Sequence, residues 1–191
     1  TEYFNGYKWK RIDRYEEGDR VLQYNPDGSS ELVVPGEYIR YSSPDPFYLY
    51  ETESLSSALT GNHDVVILEK GKLKKIKQEK ILDKNVQIPV TFIYNGSLEK
   101  SEGELFDMID RVEPSDYACY PINWYNLSYE SKCAFLEALK DAGRIYQEED
   151  FEVYHGLDAN LEFVDFVVHS TGYGVTEAYG SSTIRIYKDK S

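Results

Sequence analysis

The chain changes texture once, near Ser101, and that change constrains the fold more than any other feature. Residues 3–9, 20–24, 30–34, 38–41 and 47–52 are short runs that alternate or carry β-branched and aromatic side chains, the pattern of strands. Turn signals separate them: Asn25-Pro26-Asp27-Gly28 is a strong turn, and Asn5-Gly6 is a hairpin signal. Residues 64–68 read as a buried strand, and Lys70-Gly71-Lys72 turns the chain. Residues 73–82 read as a strand followed by a helical turn, and 86–94 as a further strand interrupted by Pro89.

Beyond Ser101 helical stripes take over. Residues 102–112 place Leu105, Met108, Ile109 and Val112 on one helical face. Pro114, Pro121 and the aromatic residues of 117–125 make an irregular connector. Ser128 reads as a helix N-cap with Glu130 in the first turn, Cys133, Phe135, Leu136 and Leu139 form the stripe, and Gly143 suits the C-terminal cap. Residues 144–154 read as strand, with room for a second strand inside them. Residues 158–170 read as a second helix closed by Gly172, and 173–178 with 183–187 as a hairpin across Tyr179-Gly180-Ser181. The expected fold class is α+β: a β-rich domain over 1–94, then a domain over 95–191 with helices packed on an antiparallel sheet.

Composition narrows the function. The chain has 191 residues, 41% of them hydrophobic and 15% aromatic, enough to bury a core and too many to leave it disordered. No run approaches the roughly 18 apolar residues of a membrane helix, and no signal peptide opens it. Cys119 and Cys133 are too few for a disulfide scaffold. These features together lead to an expected intracellular setting without membrane contact. The formal net charge of −13, with a pI of about 4.7, opposes duplex binding, which draws most of its affinity from phosphate neutralisation. The run of six lysines at 70, 72, 74, 75, 77 and 80 is the patch able to meet phosphate; its plainer reading is a charged edge strand.

Glu17-Gly18-Asp19-Arg20-Val21-Leu22 followed by Thr60-Gly61-Asn62-His63 resembles the paired boxes of self-splicing, intein-type Hint domains, over residues 3 to about 91. The resemblance implies that His63 polarises a scissile amide and that Thr60 supports the same amide. Acyl transfer also needs a nucleophile. Thr1 is not the Cys or Ser that opens such domains, and Lys190-Ser191 is not their terminal His-Asn pair, so no splicing is expected of this sequence. On plainer grounds His63 is a solvated turn histidine and Gly18-Asp19 a common turn.

Phe135-Leu136-Glu137-Ala138-Leu139-Lys140-Asp141-Ala142-Gly143, within a stretch from about Trp124 to Tyr187 in which Trp124-Tyr125-Asn126-Leu127-Ser128 leads into the helix, resembles LAGLIDADG homing endonucleases of phage. In that family two such helices pack side by side, their acidic ends bind the metals that activate water, and a four-stranded sheet saddles the DNA. The resemblance implies double-stranded DNA as partner, Mg²⁺ as cofactor and the bacterial cytoplasm as setting. The metal-binding carboxylate belongs just before the glycine, where this chain has Ala142; Asp141 comes one residue early, about 100° around the helix. Asp141 is therefore the catalytic and metal-ligand candidate beside Thr60 and His63, and cleavage is expected to be impaired. One such helix is evident, 102–112 being a decayed candidate for the other, and a homodimer would restore the pair. The plainer reading is an amphipathic core helix with a glycine cap. Glu148-Glu149-Asp150 reads as a solvated loop or a metal site. The alternative to an endonuclease relative is a non-catalytic acidic module that binds a protein partner, such as an inhibitor of a nucleic-acid enzyme.

Overall fold

A computed structural model of the chain describes residues 2–40, 42, 44–51, 56–81, 84–112, 118–177 and 182–187. The first part is strand-rich: β1 (Glu2–Phe4), β2 (Trp9–Arg11), β3 (Val21–Tyr24), β4 (Ser29–Val33), β5 (Phe47–Glu51), β6 (Ser56–Thr60), β7 (Asp64–Glu69), β8 (Lys72–Lys77) and β9 (Ile93–Tyr94). Then come α1 (Glu102–Val112), α2 (Tyr129–Asp141), β10 (Ile145–Gln147), β11 (Glu152–His155), α3 (Asp158–His169), β12 (Gly174–Glu177) and β13 (Thr183–Tyr187). The fold class is α+β, as the change of texture implies. No helix among the described residues is long and apolar enough to cross a membrane.

The chain divides into two compact units, and the division does not fall at the expected boundary between 94 and 95. Thr1–Gly36 joins Thr91–Lys190 in one unit, and Glu37–Val90 forms the other. Aromatic packing explains the first grouping. Phe4 on β1 is buried with its ring centroid 4.6 Å from Phe166 of α3, 5.7 Å from Tyr125 and 6.0 Å from Tyr94. Its partner lies far along the chain, so no local pattern announces the contact. Asp19 ties the same strand down. Its Oδ2 accepts from the Tyr3 hydroxyl and the Lys10 ammonium, each at 2.6 Å, and from the Glu16 N–H at 2.9 Å. The Gly18-Asp19 box is thus a staple for the β1–β2 hairpin.

In the larger unit, β10, β11, β13 and β12 form one antiparallel sheet in that order. Residues 144–154 are a hairpin rather than one strand, because the 148–150 turn is held by Glu148 N–H donating to the Phe151 carbonyl. One face of the sheet carries the buried Ile145, Tyr154, Ile184, Ile186 and Val175 in a shared core with α2 and α3. The capping expectations hold. Ser128 Oγ accepts the Ser131 N–H at 3.1 Å, and at the other end Arg144 N–H reaches the Leu139 carbonyl while Gly143 N–H reaches that of Lys140, each at 2.8 Å. Those two bonds form a Schellman closure, which needs Gly143 at φ +69°. Gly172 closes α3 in the same way before β12. The start of α1 is a capping box between Ser101 and Glu104. Lys132 of α2 is fully buried, donating at 2.6 Å to the Tyr94 carbonyl.

The smaller unit contains two hairpins, β5–β6 and β7–β8, with Val65, Ile67 and Ile81 as its buried apolar cluster. A 3₁₀ turn, Gln78–Lys80, follows β8 as expected. Three readings of the sequence need correction. Residues 38–40 carry no strand, and Tyr41 lies outside the described residues. Residues 86–94 form strand only at Ile93 and Tyr94, because Pro89 has no N–H to donate to a ladder. Strand β6, rich in serine, had no strand signal and forms by pairing with β5. The turn at 179–181, Thr52, Leu82, Pro114 and Tyr117 lie outside the described residues.

Candidate functional site

Thr60 and His63 come together as the turn that joins β6 to β7. His63 N–H donates to the Thr60 carbonyl at 3.0 Å, and the Thr60 hydroxyl donates to Asn62 Oδ1 at 2.8 Å. The segment after β8 clasps this turn: Gln78 N–H donates to the His63 carbonyl, Glu79 N–H to the Gly61 carbonyl and Lys77 Nζ to the Asn62 carbonyl. His63 itself is exposed, and no hydrogen bond joins its ring to a hydroxyl or thiol among the described residues. The box is therefore explained by turn architecture, with the threonine hydroxyl already committed to its neighbour.

Asp141 is the last residue of α2 and is exposed. Ala142 follows as the C-cap, its N–H returned to the Ala138 carbonyl. No group of three or more His, Cys, Asp or Glu side chains that could hold a metal is gathered among the described residues. A lone carboxylate at an exposed helix end does not fit the oxygen-rich shell that Mg²⁺ needs. Glu148, Glu149 and Asp150 are likewise exposed. Gln147 Nε2 fastens their turn by donating to the carbonyls of Glu148 at 2.6 Å and Phe151 at 3.1 Å, which is the solvated-loop reading.

The groups that converge lie on the face of the four-stranded sheet turned away from the helices. His155 of β11 is exposed and held at both ring nitrogens. The Tyr146 hydroxyl is 2.7 Å from Nε2 and Thr183 Oγ1 is 2.7 Å from Nδ1. A neutral imidazole donates through one nitrogen and accepts at the other, so one hydroxyl must donate and its counterpart accept. The Tyr146 ring stacks on His155 at 5.6 Å and 14°. Beside them Arg185 sits over the Phe151 ring at 5.3 Å, and Phe151 is 5.7 Å from Tyr187. The face thus offers aromatic surface, one guanidinium and an anchored imidazole. Sequence reasoning missed Tyr146, Phe151, His155 and Thr183. The alternation of 183, 185 and 187 was a usable signal; the pairing of Tyr146 with His155 required the hairpin register.

The lysine run belongs to the smaller unit and is partly neutralised. Lys74 pairs with Glu69 at 3.0 Å and Lys77 with Asp64 at 2.8 Å across the β7–β8 hairpin. These attractions hold the Asp64 and Glu69 carboxyls below the ordinary range, the hydrogen bond from each lysine being the largest cause. Lys70, Lys72 and Lys75 remain exposed or partly so, as an edge-strand reading implies.

No protein-family model, no curated protein and no solved structure matches the chain.

Proposed function

We propose that the protein is a relative of intein-embedded phage homing endonucleases, silent in splicing and cleavage, whose larger unit offers the sheet face away from its helices to duplex DNA in the bacterial cytoplasm. One observation carries this reading. Each of two glycine-closed helices, α2 and α3, is followed directly by a hairpin, and the two hairpins pair into one four-stranded sheet with one face turned away from the helices. That order accords with the resemblance over about Trp124 to Tyr187. Arg185 and the aromatic rings around it are the groups suited to phosphate and base edges. Ala142 and the solitary Asp141 argue against metal-assisted cleavage.

A second reading rests on where the charge lies. The eight basic and eight acidic side chains of residues 37–90 cancel, so the whole −13 belongs to the unit that contains the sheet. Such a unit suits a basic protein partner as an acidic inhibitor would. Fluorescence anisotropy with a labelled duplex separates the two. The first reading expects binding at low salt, with log affinity falling by about 0.9 per log salt for each phosphate contact. It also expects weakening by Arg185→Ala and no product strand with Mg²⁺. Absence of binding even at low salt removes the first reading and leaves the second. Cleavage abolished by Asp141→Asn would overturn the claim of silence.

A further inference from the structure

The two hairpins of the smaller unit treat their free edges differently. Among the described residues β8 has β7 as its one ladder partner, so its other edge is open. That edge is guarded: Lys72, Lys74 and Lys75 are exposed along it, and lysines on an edge strand discourage another chain from pairing there. β5 is the open edge of the other hairpin, with β6 as its one ladder partner. Apart from that pairing, no backbone hydrogen bond joins Phe47–Glu51 to another described segment. This edge carries no lysine. Phe47 is 71% exposed and Leu49 64% exposed, and the two-residue spacing puts both on one face of the strand with Glu51. The unit's fully buried apolar cluster is Val65, Ile67 and Ile81 among the described residues, so Phe47 and Leu49 are large apolar side chains left outside a small core.

We propose that β5 is a docking edge for an extended, basic peptide segment of a partner protein, which adds beside it as a third strand. Such a strand pairs with the outward N–H and C=O groups of β5 and lays alternate apolar side chains beside Phe47 and Leu49. Strand length sets the size of the segment. β5 has five residues, a span of about 17 Å, and Pro46 just before it has no N–H to donate, so pairing is confined to Phe47–Glu51. Charge sets its chemistry. From residue 41 to residue 63 the sequence contains Asp45, Glu51 and Glu53 and neither lysine nor arginine, and Glu51 is exposed at the end of the strand. The whole chain carries −13, which steers a basic segment toward it and an acidic one away. A second copy of β5 would bring the same acidic stretch against itself, and like charges across a ladder oppose pairing. The proposal concerns the smaller unit and does not rest on any contact between the larger unit and DNA.

The test is a titration of the full chain, isotope-labelled for amide spectra, with a capped peptide of about seven residues that alternates valine and threonine and carries a lysine at each end. Saturable shifts and slowed amide exchange are expected at residues 47–51, with a Kd of about 0.1–1 mM. The same peptide with glutamate at each end is expected to bind at least about tenfold more weakly, and a proline at its centre to abolish binding. Leu49→Lys, at an exposed position that leaves the fold intact, should remove the shifts by guarding the edge. Glu51→Lys should weaken the lysine peptide about threefold and strengthen the glutamate peptide, a reversal that loss of structure does not produce. Absence of saturable shifts at 47–51, shifts confined to other strands, or full affinity in Leu49→Lys overturns the site. Equal binding of the glutamate peptide overturns the basic partner. Concentration-dependent dimerisation of the chain alone, abolished by Leu49→Lys, assigns the edge to a second copy and overturns the partner likewise.

Discussion

Lys132 is the residue whose environment departs furthest from what its side chain requires. Among the described residues its ammonium has a single hydrogen-bond acceptor, the Tyr94 carbonyl, and it lies over the Tyr94 ring at 4.4 Å and the Phe166 ring at 5.4 Å. Burial, opposed only by the field of Cys133, pushes its pKa down to about 7. The folded lysine therefore loses its proton near pH 7, while the unfolded one keeps it to about 10.5. Between these values the unfolded chain binds one proton more, so stability rises with pH by about 1.4 kcal/mol per unit. Below pH 7 both forms are charged and the gain is absent. Urea unfolding from pH 7 to 9.5 should show this rise, and Lys132→Met should flatten it and raise stability at pH 7. A flat profile in the parent chain would mean the amine reaches water. Asp19 has the opposite sign. Hydrogen bonds from Lys10, Tyr3 and the Glu16 N–H hold its carboxyl down to about 2. Its contribution is fully present above the ordinary carboxylate range and is lost as pH falls through about 2. Asp19→Asn should lower the melting temperature at pH 7 and reduce the acid sensitivity below pH 4.

Helix ends show what an element can owe to one residue. Gly143 sits at φ +69° with no atom within 4 Å of the position a Cβ would occupy. Gly143→Ala therefore meets no clash and costs only the left-handed backbone, about 1 kcal/mol, read as a lower denaturation midpoint with unchanged slope. Ser128→Ala at the other end of α2 should cost a similar ~1 kcal/mol. Ala142→Asp should leave stability within about 0.5 kcal/mol, since Ala142 faces partly outward, and should not confer tight Mg²⁺ binding, because no second carboxylate is gathered there. Both caps of α2 were legible in the sequence because capping is chemistry between residues at most five apart. The same locality made the Asn5-Gly6, Asn25–Gly28 and Lys70-Gly71 turns readable. Strand β6 was not, because serines gain strand structure only from the partner strand. The His155 clasp was not, because its two hydroxyls come from different strands, 9 and 28 residues away. The Thr60–His63 box is the reverse case: a legible local pattern whose bonds all serve the turn that contains it.

At the scale of the whole molecule, the division into units follows from long-range contacts that no window of sequence displays. Phe4 is held by Phe166, and β4 takes β9 as a parallel neighbour, pairing Ser29 with Ile93 and Ser30 with Tyr94. Along β4 the chain passes from Ser29 to Val33, a rise of about 13 Å, before it departs, and it returns just before Ile93. A linker of about eight flexible residues, up to ~26 Å when extended, can span that offset and the gap between neighbouring strands. Replacing residues 37–90 by such a linker should leave the larger unit folded, because its buried aromatic cluster draws no member from the described residues of the deleted segment. The deletion chain should unfold in a single cooperative transition, and its amide spectrum should superpose on that of the full chain for residues 94–112 and 118–175. Loss of dispersion in the deletion chain would show that the smaller unit contributes to the fold of the larger, and that Phe4 and β9 cannot hold the sheet and helices together without it.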